Sequence, residues 1–224
     1  RILMLDTKKK LTKHKKNMIN GFMNCTKKII REQGIDAVTI RKVAECSMMN
    51  SATIYNYFEN LDHLIIFSIM DQLEDYIKAL PDAIKDCDNS LDKFYAIWDC
   101  FVKYSFNSSD AYMRLFFSNL ENQIEYYIEQ YYKIFPMELN SKDYPDDVID
   151  MLNSSAIFTR NIYIMKDFVD EGIIAEKDLY DINNIIIFTY EGLLRRVNSG
   201  VLDTNKGISM FNDYIRKIID LFKK

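Results

Sequence analysis

The scarcity of glycine and proline restricts more than any other feature what this chain can fold into. Its 6 Gly and 3 Pro fill nine of 224 positions, about 4%, where average proteins have roughly 12%. β-Sandwiches and α/β folds need turn residues at each of their many chain reversals, so this composition disfavours both. The hydrophobic share of 48% and the charged share of 28% are typical of a globular chain. We therefore predict an all-α protein, and the helix start and stop signals along the chain give about nine or ten helices.

Two further classes are disfavoured by what the sequence lacks. Apolar runs are only a few residues long, as at 185–188, whereas a membrane-spanning helix needs about 18 or more. The N-terminus lacks the charged-then-apolar order of a signal peptide, so we expect a cytoplasmic protein without membrane contact. The four cysteines form no C-x-x-C pair, so we expect reduced thiols rather than disulfides or a metal site; they are Cys25, Cys46, Cys87 and Cys100.

Charge is divided unevenly along the chain. Residues 1–58 carry 12 Lys/Arg and 4 Asp/Glu, a net of +8, whereas the other residues carry 17 and 29, a net of −12, which gives −4 overall. A positive end on an acidic body suits phosphate binding by one small domain, because that binding depends on local cations. A solvated tail of lysines before residue 17 would give the same positive net charge. Charge alone therefore does not distinguish phosphate binding from a solvated tail.

Helix start and stop signals in the basic N-terminal part predict a helix-turn-helix. Apolar residues from Met18 to Ile29 recur at steps of four, three and four, typical of one helix, and Gly34 favours its end. Thr39 and Asn50 are N-cap candidates for two short helices that follow, over about residues 39–58. Two short helices behind a longer one form the helix-turn-helix arrangement.

The second short helix has two distinct faces. At 100° per residue, Ile54 and Phe58 point inward and leave Ala52 and Asn56 on the opposite side. A major groove admits one helix, and Asn can pair bidentately with adenine. An ordinary solvated helix surface would show the same residues, so this pattern alone does not decide the function.

The residues themselves resemble a known family. The run T-I-R-K-V-A-E-C at 39–46, followed by N-S-A-T-I-Y-N-Y-F at 50–58 and by Leu64, is similar to the DNA-binding domain of TetR-family transcriptional regulators. The likeness covers about residues 14–66. Two departures stand out: the usual turn glycine is Met48, which must bear strain or use a conformation open to a side chain, and the usual phosphate-contacting lysine is Leu61.

The resemblance implies a function. Members of this family bind a pseudo-palindromic operator in double-stranded DNA as homodimers, usually repress, and are released by a small-molecule effector; no cofactor is implied. Carried over by position, the expected DNA contacts are Thr39, Arg41, Ser51, Ala52, Thr53, Tyr55, Asn56 and Tyr57.

The resemblance also implies a domain division: a flexible basic arm at 1–13, a DNA-binding domain at 14–60, and a ligand-binding and dimerisation domain at 61–224. In the last of these we predict a helix that Pro81 stops and one long helix from Pro145 to Gly172. Its aromatic residues suit either a ligand cavity or plain core packing. The expected ligand-binding residues are Tyr95, Trp98, Phe101, Phe117, Tyr127 and Phe158.

The last two predicted helices carry apolar stripes. In relatives these helices form a four-helix dimer bundle, and a stripe buried within the monomer is the alternative. The expected dimer-interface residues are Ile182, Ile186, Leu193, Phe211, Ile215 and Ile218.

Catalytic motifs are absent from the sequence. His14 and His63 have no serine or cysteine partner identifiable by motif and are expected on the surface, and no phosphate-binding glycine loop or H-E-x-x-H is present. We therefore expect neither an enzyme nor a metal protein. The two alternatives to a regulator are a helical protein-interaction module whose basic arm meets an acidic partner and an all-α enzyme.

Overall fold

The computed structural model describes residues 12–118, 121–136, 144–154 and 156–224. Within these ranges the chain forms eleven α-helices and no strand, so the predicted all-α class is confirmed. The helices are α1 Lys13–Gln33, α2 Ile40–Ser47, α3 Ser51–Ile54, α4 Leu61–Ile84, α5 Ser90–Asn107, α6 Ser109–Phe117, α7 Glu121–Ile134, α8 Asp146–Asn153, α9 Ile157–Asp170, α10 Leu179–Asn198 and α11 Thr204–Phe222.

The count exceeds the prediction because the single helix predicted from Pro145 to Gly172 is two helices, α8 and α9. Between them the backbone is extended at Ser154 and again at Ala156. The carbonyl of Ser154 accepts a hydrogen bond from Nε of Arg160 at 2.6 Å. A buried side chain from the next helix thus satisfies a carbonyl left free where the helix stops.

The prediction that Pro81 ends the fourth helix is wrong, because α4 continues to Ile84. Proline lacks the N–H that would bond to the carbonyl four residues earlier, which is the main cost of placing it inside a helix. Here that carbonyl, on Ile77, accepts a hydrogen bond from the Tyr144 hydroxyl at 3.0 Å. The tertiary contact replaces the lost backbone bond, so the helix continues.

The chain divides into two compact units. The first contains the described residues up to Ile69 together with the segment that begins at Tyr126, and the second contains Met70–Glu125 and the described residues after 138. The first is called the head below, and the second the body.

The core of the head lies between α1 and the short helices α2 and α3. The predicted stripe on α1 is partly right, since Phe22 and Ile29 are buried whereas Met18 and Cys25 are only half-buried. The buried face is completed by three neighbours on α1, which are Ile19, Met23 and Thr26. The Thr26 hydroxyl donates to the Phe22 carbonyl at 2.9 Å, so this buried polar group is satisfied.

The body is built around aromatic side chains from α4, α5 and α10. Tyr190 on α10 is buried, and its ring lies 5.3 Å from that of Phe101 and 5.5 Å from that of Trp98. Helix α11 approaches α10 closely at Gly207, where an added Cβ would lie 2.7 Å from Cγ2 of Val197. A larger residue at this crossing would have to displace the Val197 side chain, so glycine is favoured there.

Candidate nucleic-acid interface and ligand cavity

The two short helices of the head begin at the predicted caps. Oγ1 of Thr39 accepts from the Lys42 backbone N–H at 3.2 Å, and Oδ1 of Asn50 accepts from the Ala52 N–H at 2.9 Å. Each cap satisfies a donor that has no partner inside its own helix. The caps therefore fix where α2 and α3 begin.

The turn between these helices is strained at Met48. This residue has φ 55° and ψ 33°, and no other described residue except glycine has a positive φ. Its N–H bonds to the carbonyls of Ala44 and Glu45, which holds the left-handed conformation. Met48 is 93% exposed, so little packing compensates for the strain.

The side of α3 and the following turn that was predicted to face the core of the head does so. Ile54 and Phe58 are almost fully buried, whereas Ala52 and Asn56 are exposed. The regular helix ends at Ile54, earlier than predicted, and the next residues continue as turns. The outward side chains therefore come from one short helix and the turn that follows it.

The remaining predicted DNA contacts surround this face. Thr39 and Arg41 on α2 are exposed, and Nε of Arg41 donates to Oε1 of Glu45 at 2.9 Å. Tyr55 is 56% exposed, and neither its hydroxyl nor the side-chain amide of Asn56 makes a hydrogen bond to another described residue. The half-buried members of the set are Ser51, Thr53 and Tyr57.

Tyr57 also has a packing role, since its ring lies 5.7 Å from that of Phe22 on α1. Most of the predicted basic arm 1–13 lies outside the described residues. The structure thus brings all eight predicted DNA contacts of α2, α3 and the adjoining turn into the head.

His63 contradicts the prediction of a surface histidine. It is buried in the head, where its Nδ1 accepts from the Glu59 N–H at 3.2 Å and its ring stacks on that of Tyr127, with 4.5 Å between the centroids. Burial lowers the pKa of His63 to about 4. Sequence reasoning missed this burial because the covering ring belongs to a helix far along the chain.

Tyr127, predicted as a ligand-binding residue, therefore packs on the head. Its hydroxyl accepts from Nδ2 of Asn60 at 2.8 Å, and Oδ1 of Asn60 caps α4 by accepting from the His63 N–H at 2.8 Å. The neighbouring Tyr126 hydroxyl bonds to Oε1 of Glu59 at 2.8 Å. Two successive tyrosines thus bond to the two residues that follow Phe58.

A cavity lies inside the body and holds about 300 Å³ of space that no atom fills, part of it open to solvent. Its water-accessible part is only about 20 Å³, which is room for about one water molecule and lies below the usual range for small-molecule sites. Trp98 and Phe101, both predicted as ligand-binding, line it. Its other lining residues are Tyr76, Ile97, Met151, Ile157, Arg160, Asn161 and Ile164.

Three predicted ligand-binding residues lie elsewhere in the body. The Tyr95 ring lies 4.7 Å from the guanidinium of Arg216, and the Phe117 ring lies 5.9 Å from that of Tyr190. Phe158 packs against the exposed ring of Phe188 at 5.8 Å. None of the three lines this cavity.

The six predicted dimer-interface residues are buried within the monomer. Ile182, Ile186 and Phe211 have no measurable exposure, and Leu193, Ile215 and Ile218 have at most 9%. A second copy cannot reach side chains that the body already covers, so the structure supports the alternative of a stripe buried in the monomer. Sequence periodicity found the apolar stripes but could not tell which partner covers them.

Other apolar residues of the same helices are exposed. On α10 they include Ile185 and Phe188, followed one turn later by Gly192, and on α11 they include Tyr214 and Leu221. Phe188 is 61% exposed and Leu221 is 80% exposed. The spacing of Ile185, Phe188 and Gly192 places them on one helix face.

Comparison with known proteins supports the family resemblance in the head and shows the fold of the chain. Residues 23–66 match the family model described as bacterial regulatory proteins of the tetR family. This region contains all of α2 and α3 with their caps. The chain has the fold of a TetR-family transcriptional regulator.

Solved structures extend the likeness in fold over most of the chain. A TetR regulator from Haloarcula marismortui has a TM-score of 0.59 at 14% identity, with 93% of this chain and 99% of that chain covered. The repressor FadR from Thermus thermophilus, solved with lauroyl-CoA, has a TM-score of 0.56 at 10% identity, with 90% and 92% covered. RolR, solved with resorcinol, has a TM-score of 0.56 at 13% identity, with 93% and 89% covered. No curated protein matches the chain.

Two further features are absent from the described part of the chain. None of the helices there combines the length and the apolar character that crossing a membrane requires. No group of three or more His, Cys, Asp or Glu side chains is arranged there to hold a metal ion.

Proposed function

We propose that this protein is a ligand-responsive transcriptional regulator that binds a pseudo-palindromic operator as a homodimer, represses, and is released by a small molecule. The observation that carries the proposal is the exposed polar face of a TetR-type helix-turn-helix, on the basic end of an acidic chain. Residues 14–60 are the proposed DNA-binding domain, 1–13 its basic arm, and 61–224 the ligand-binding and dimerisation domain.

In the proposed complex the Ala52 and Asn56 side of α3 faces the major groove. Asn56 reads a base edge, because its amide has both a donor and an acceptor for adenine. The hydroxyls of Tyr55 and Thr39 bond to phosphates, which fixes the position on the duplex without reading sequence. Ser51 and Thr53 lie beside this face, and Tyr57 contacts phosphate from its packed position against α1.

Salt dependence tests the electrostatic part of this proposal. Each neutralised phosphate contributes roughly −0.9 to the slope of log affinity against log salt. Binding of the full chain to a duplex, measured by fluorescence anisotropy across a salt series, should therefore weaken steeply. A flat response would contradict phosphate binding by the head.

We place the dimer surface on the exposed face of α10 and α11, not on the buried residues predicted from sequence. Exposed apolar patches on soluble proteins commonly mark interaction sites, and an isologous pair would cover this one with its own copy. Substitution Phe188→Lys should convert the dimer to monomer in sedimentation at micromolar concentration.

Met48→Lys is the matched control for this substitution, because Met48 is an exposed apolar residue of the head, outside both helices. It should leave the sedimentation coefficient unchanged. A wild-type chain that is monomeric at micromolar concentration would contradict the dimer proposal itself.

The effector site we propose is the cavity that Trp98 and Phe101 line. A small molecule releases DNA only if it binds the DNA-incompetent arrangement more tightly, since equal affinity for both arrangements shifts nothing. The two solved relatives described above hold very different molecules, an acyl-CoA and a dihydroxybenzene. The lining of this chain's own cavity therefore determines which ligand it binds.

A further inference from the structure

The chain turns into α4 at a corner that closely follows the proposed DNA contacts. This corner consists of Glu59 and Asn60. Oδ1 of Asn60 accepts from the His63 backbone N–H at 2.8 Å, and Nδ1 of His63 accepts from the Glu59 N–H at 3.2 Å. Two side-chain hydrogen bonds thus close the corner. Asn56 lies three residues before it, so the geometry of the corner affects where the Asn56 side chain points.

Tyr127 on α7 contacts both of the side chains that close the corner. Its hydroxyl accepts from Nδ2 of Asn60 at 2.8 Å. Its ring stacks on that of His63, with 4.5 Å between the centroids and 8° between the planes. The His63 ring in turn meets the buried Phe58 ring edge-on at 5.4 Å. The packing therefore continues from Tyr127 through the corner to the inward side of the DNA-binding surface.

A histidine at position 63 has a cost that plain packing does not explain. Because its Nδ1 accepts, the hydrogen of the neutral ring is on Nε2. This Nε2 is buried and has no hydrogen-bond partner among the described residues. An unpaired buried donor destabilises a fold, and an apolar ring would avoid that cost. Histidine is suited to the corner because it accepts from the Glu59 N–H and presents a flat ring to Tyr127.

We infer that Tyr127 is a positioning residue for DNA binding. Acting through Asn60 and His63, it fixes the corner and so holds Asn56 in the orientation that reads a base edge. Tyr127 is itself buried, so it influences DNA only through these residues. The inference rests on the proposed function, because it assumes that the head reads base sequence.

Two affinities of the full chain separate positioning from stability. One is for a duplex that the wild-type chain enriches from a random pool, and the other is for an unrelated duplex of the same length. Fluorescence anisotropy measures both. Their ratio reports base reading, whereas the affinity for the unrelated duplex reports phosphate contacts alone. A loss of folded protein lowers both affinities by the same factor and leaves the ratio unchanged.

Tyr127→Leu removes the stacked ring and the hydrogen bond to Asn60. Loss of one bidentate base contact costs about tenfold in discrimination. The ratio should therefore fall by about tenfold, with the salt dependence of binding to the unrelated duplex unchanged. Tyr131→Leu is the matched control, because Tyr131 lies one turn further along α7, is also buried, and packs on Phe67 at 5.4 Å. It should leave the ratio unchanged.

Tyr127→Phe guards against misfolding of the leucine variant, because it keeps the ring and removes only the hydroxyl. One neutral hydrogen bond contributes about two- to fivefold, so its ratio should lie between those of the wild type and Tyr127→Leu. An unchanged ratio in both Tyr127 variants, or an equal fall in Tyr131→Leu, would overturn the inference while leaving the proposed function intact. If the wild-type chain enriches no duplex, base reading fails together with the inference.

Discussion

Met48→Gly should stabilise the head, although it removes a side chain. A left-handed conformation costs a residue other than glycine roughly 1–2 kcal/mol, and Met48 adopts it at φ 55°. Glycine also gives the unfolded chain more conformational entropy, which lowers the free energy of unfolding by about 0.5–1 kcal/mol and offsets part of that gain. Because Met48 is 93% exposed, little packing is lost, and the net gain should be about 0.5–1 kcal/mol.

Hydrogen exchange measured by mass spectrometry on peptides covering α2 and α3 checks this value. A gain of that size slows exchange of the protected amides by about two- to fivefold. Met49→Gly is the matched control, since Met49 is the next residue and lacks the positive φ; its exchange should become faster. Equal or faster exchange in Met48→Gly would refute the argument from strain.

Three further predictions concern acid stability, helix packing and base reading. Burial holds the pKa of His63 near 4, below its unfolded value of about 6.5. The contribution of neutral His63 to folding stability is therefore fully present above pH 6.5. It is lost as the pH falls from 6.5 to 4, by roughly 3 kcal/mol in total. The fall in unfolding free energy over this window should be smaller in His63→Gln, and equal slopes in denaturant titrations would contradict the assignment. Gly207→Ala places a Cβ 2.7 Å from Val197 and should lower the free energy of unfolding by about 1–2 kcal/mol. In Gly192→Ala the added Cβ meets nothing within 4 Å, and the free energy of unfolding should rise by about 1 kcal/mol. The thermal midpoint of dilute protein measures both changes. Tyr55→Phe should weaken binding to all duplexes alike, whereas Asn56→Ala should relax base preference, and unchanged selectivity in Asn56→Ala would remove it from the reading set.

The sequence predicts the head well because its signals are local. The caps at Thr39 and Asn50 and the inward side of Ile54 depend on residues a few positions apart, and the structure confirms them. Tertiary contacts overrule local signals elsewhere. Pro81 stays inside α4 because the Tyr144 hydroxyl takes over the freed carbonyl of Ile77.

Candidate sites in the body were harder to predict, since periodicity shows that a residue is apolar but not what covers it. Ile186 and Ile185 are neighbours on α10, yet the first is buried in the body and the second is exposed. Nor does the sequence distinguish Trp98 and Phe101, which line the cavity, from Tyr127, which packs on His63.

Selection of duplexes from a random pool by the full chain tests the central claim most directly. Since two heads related by a two-fold axis would read the DNA, the enriched sequences should be pseudo-palindromes whose half-sites lie about one helical turn, or a multiple of it, apart. The same selection with Asn56→Ala should lose information at one base position in each half-site. Enrichment of no sequence, or of one without two-fold symmetry, would contradict the account.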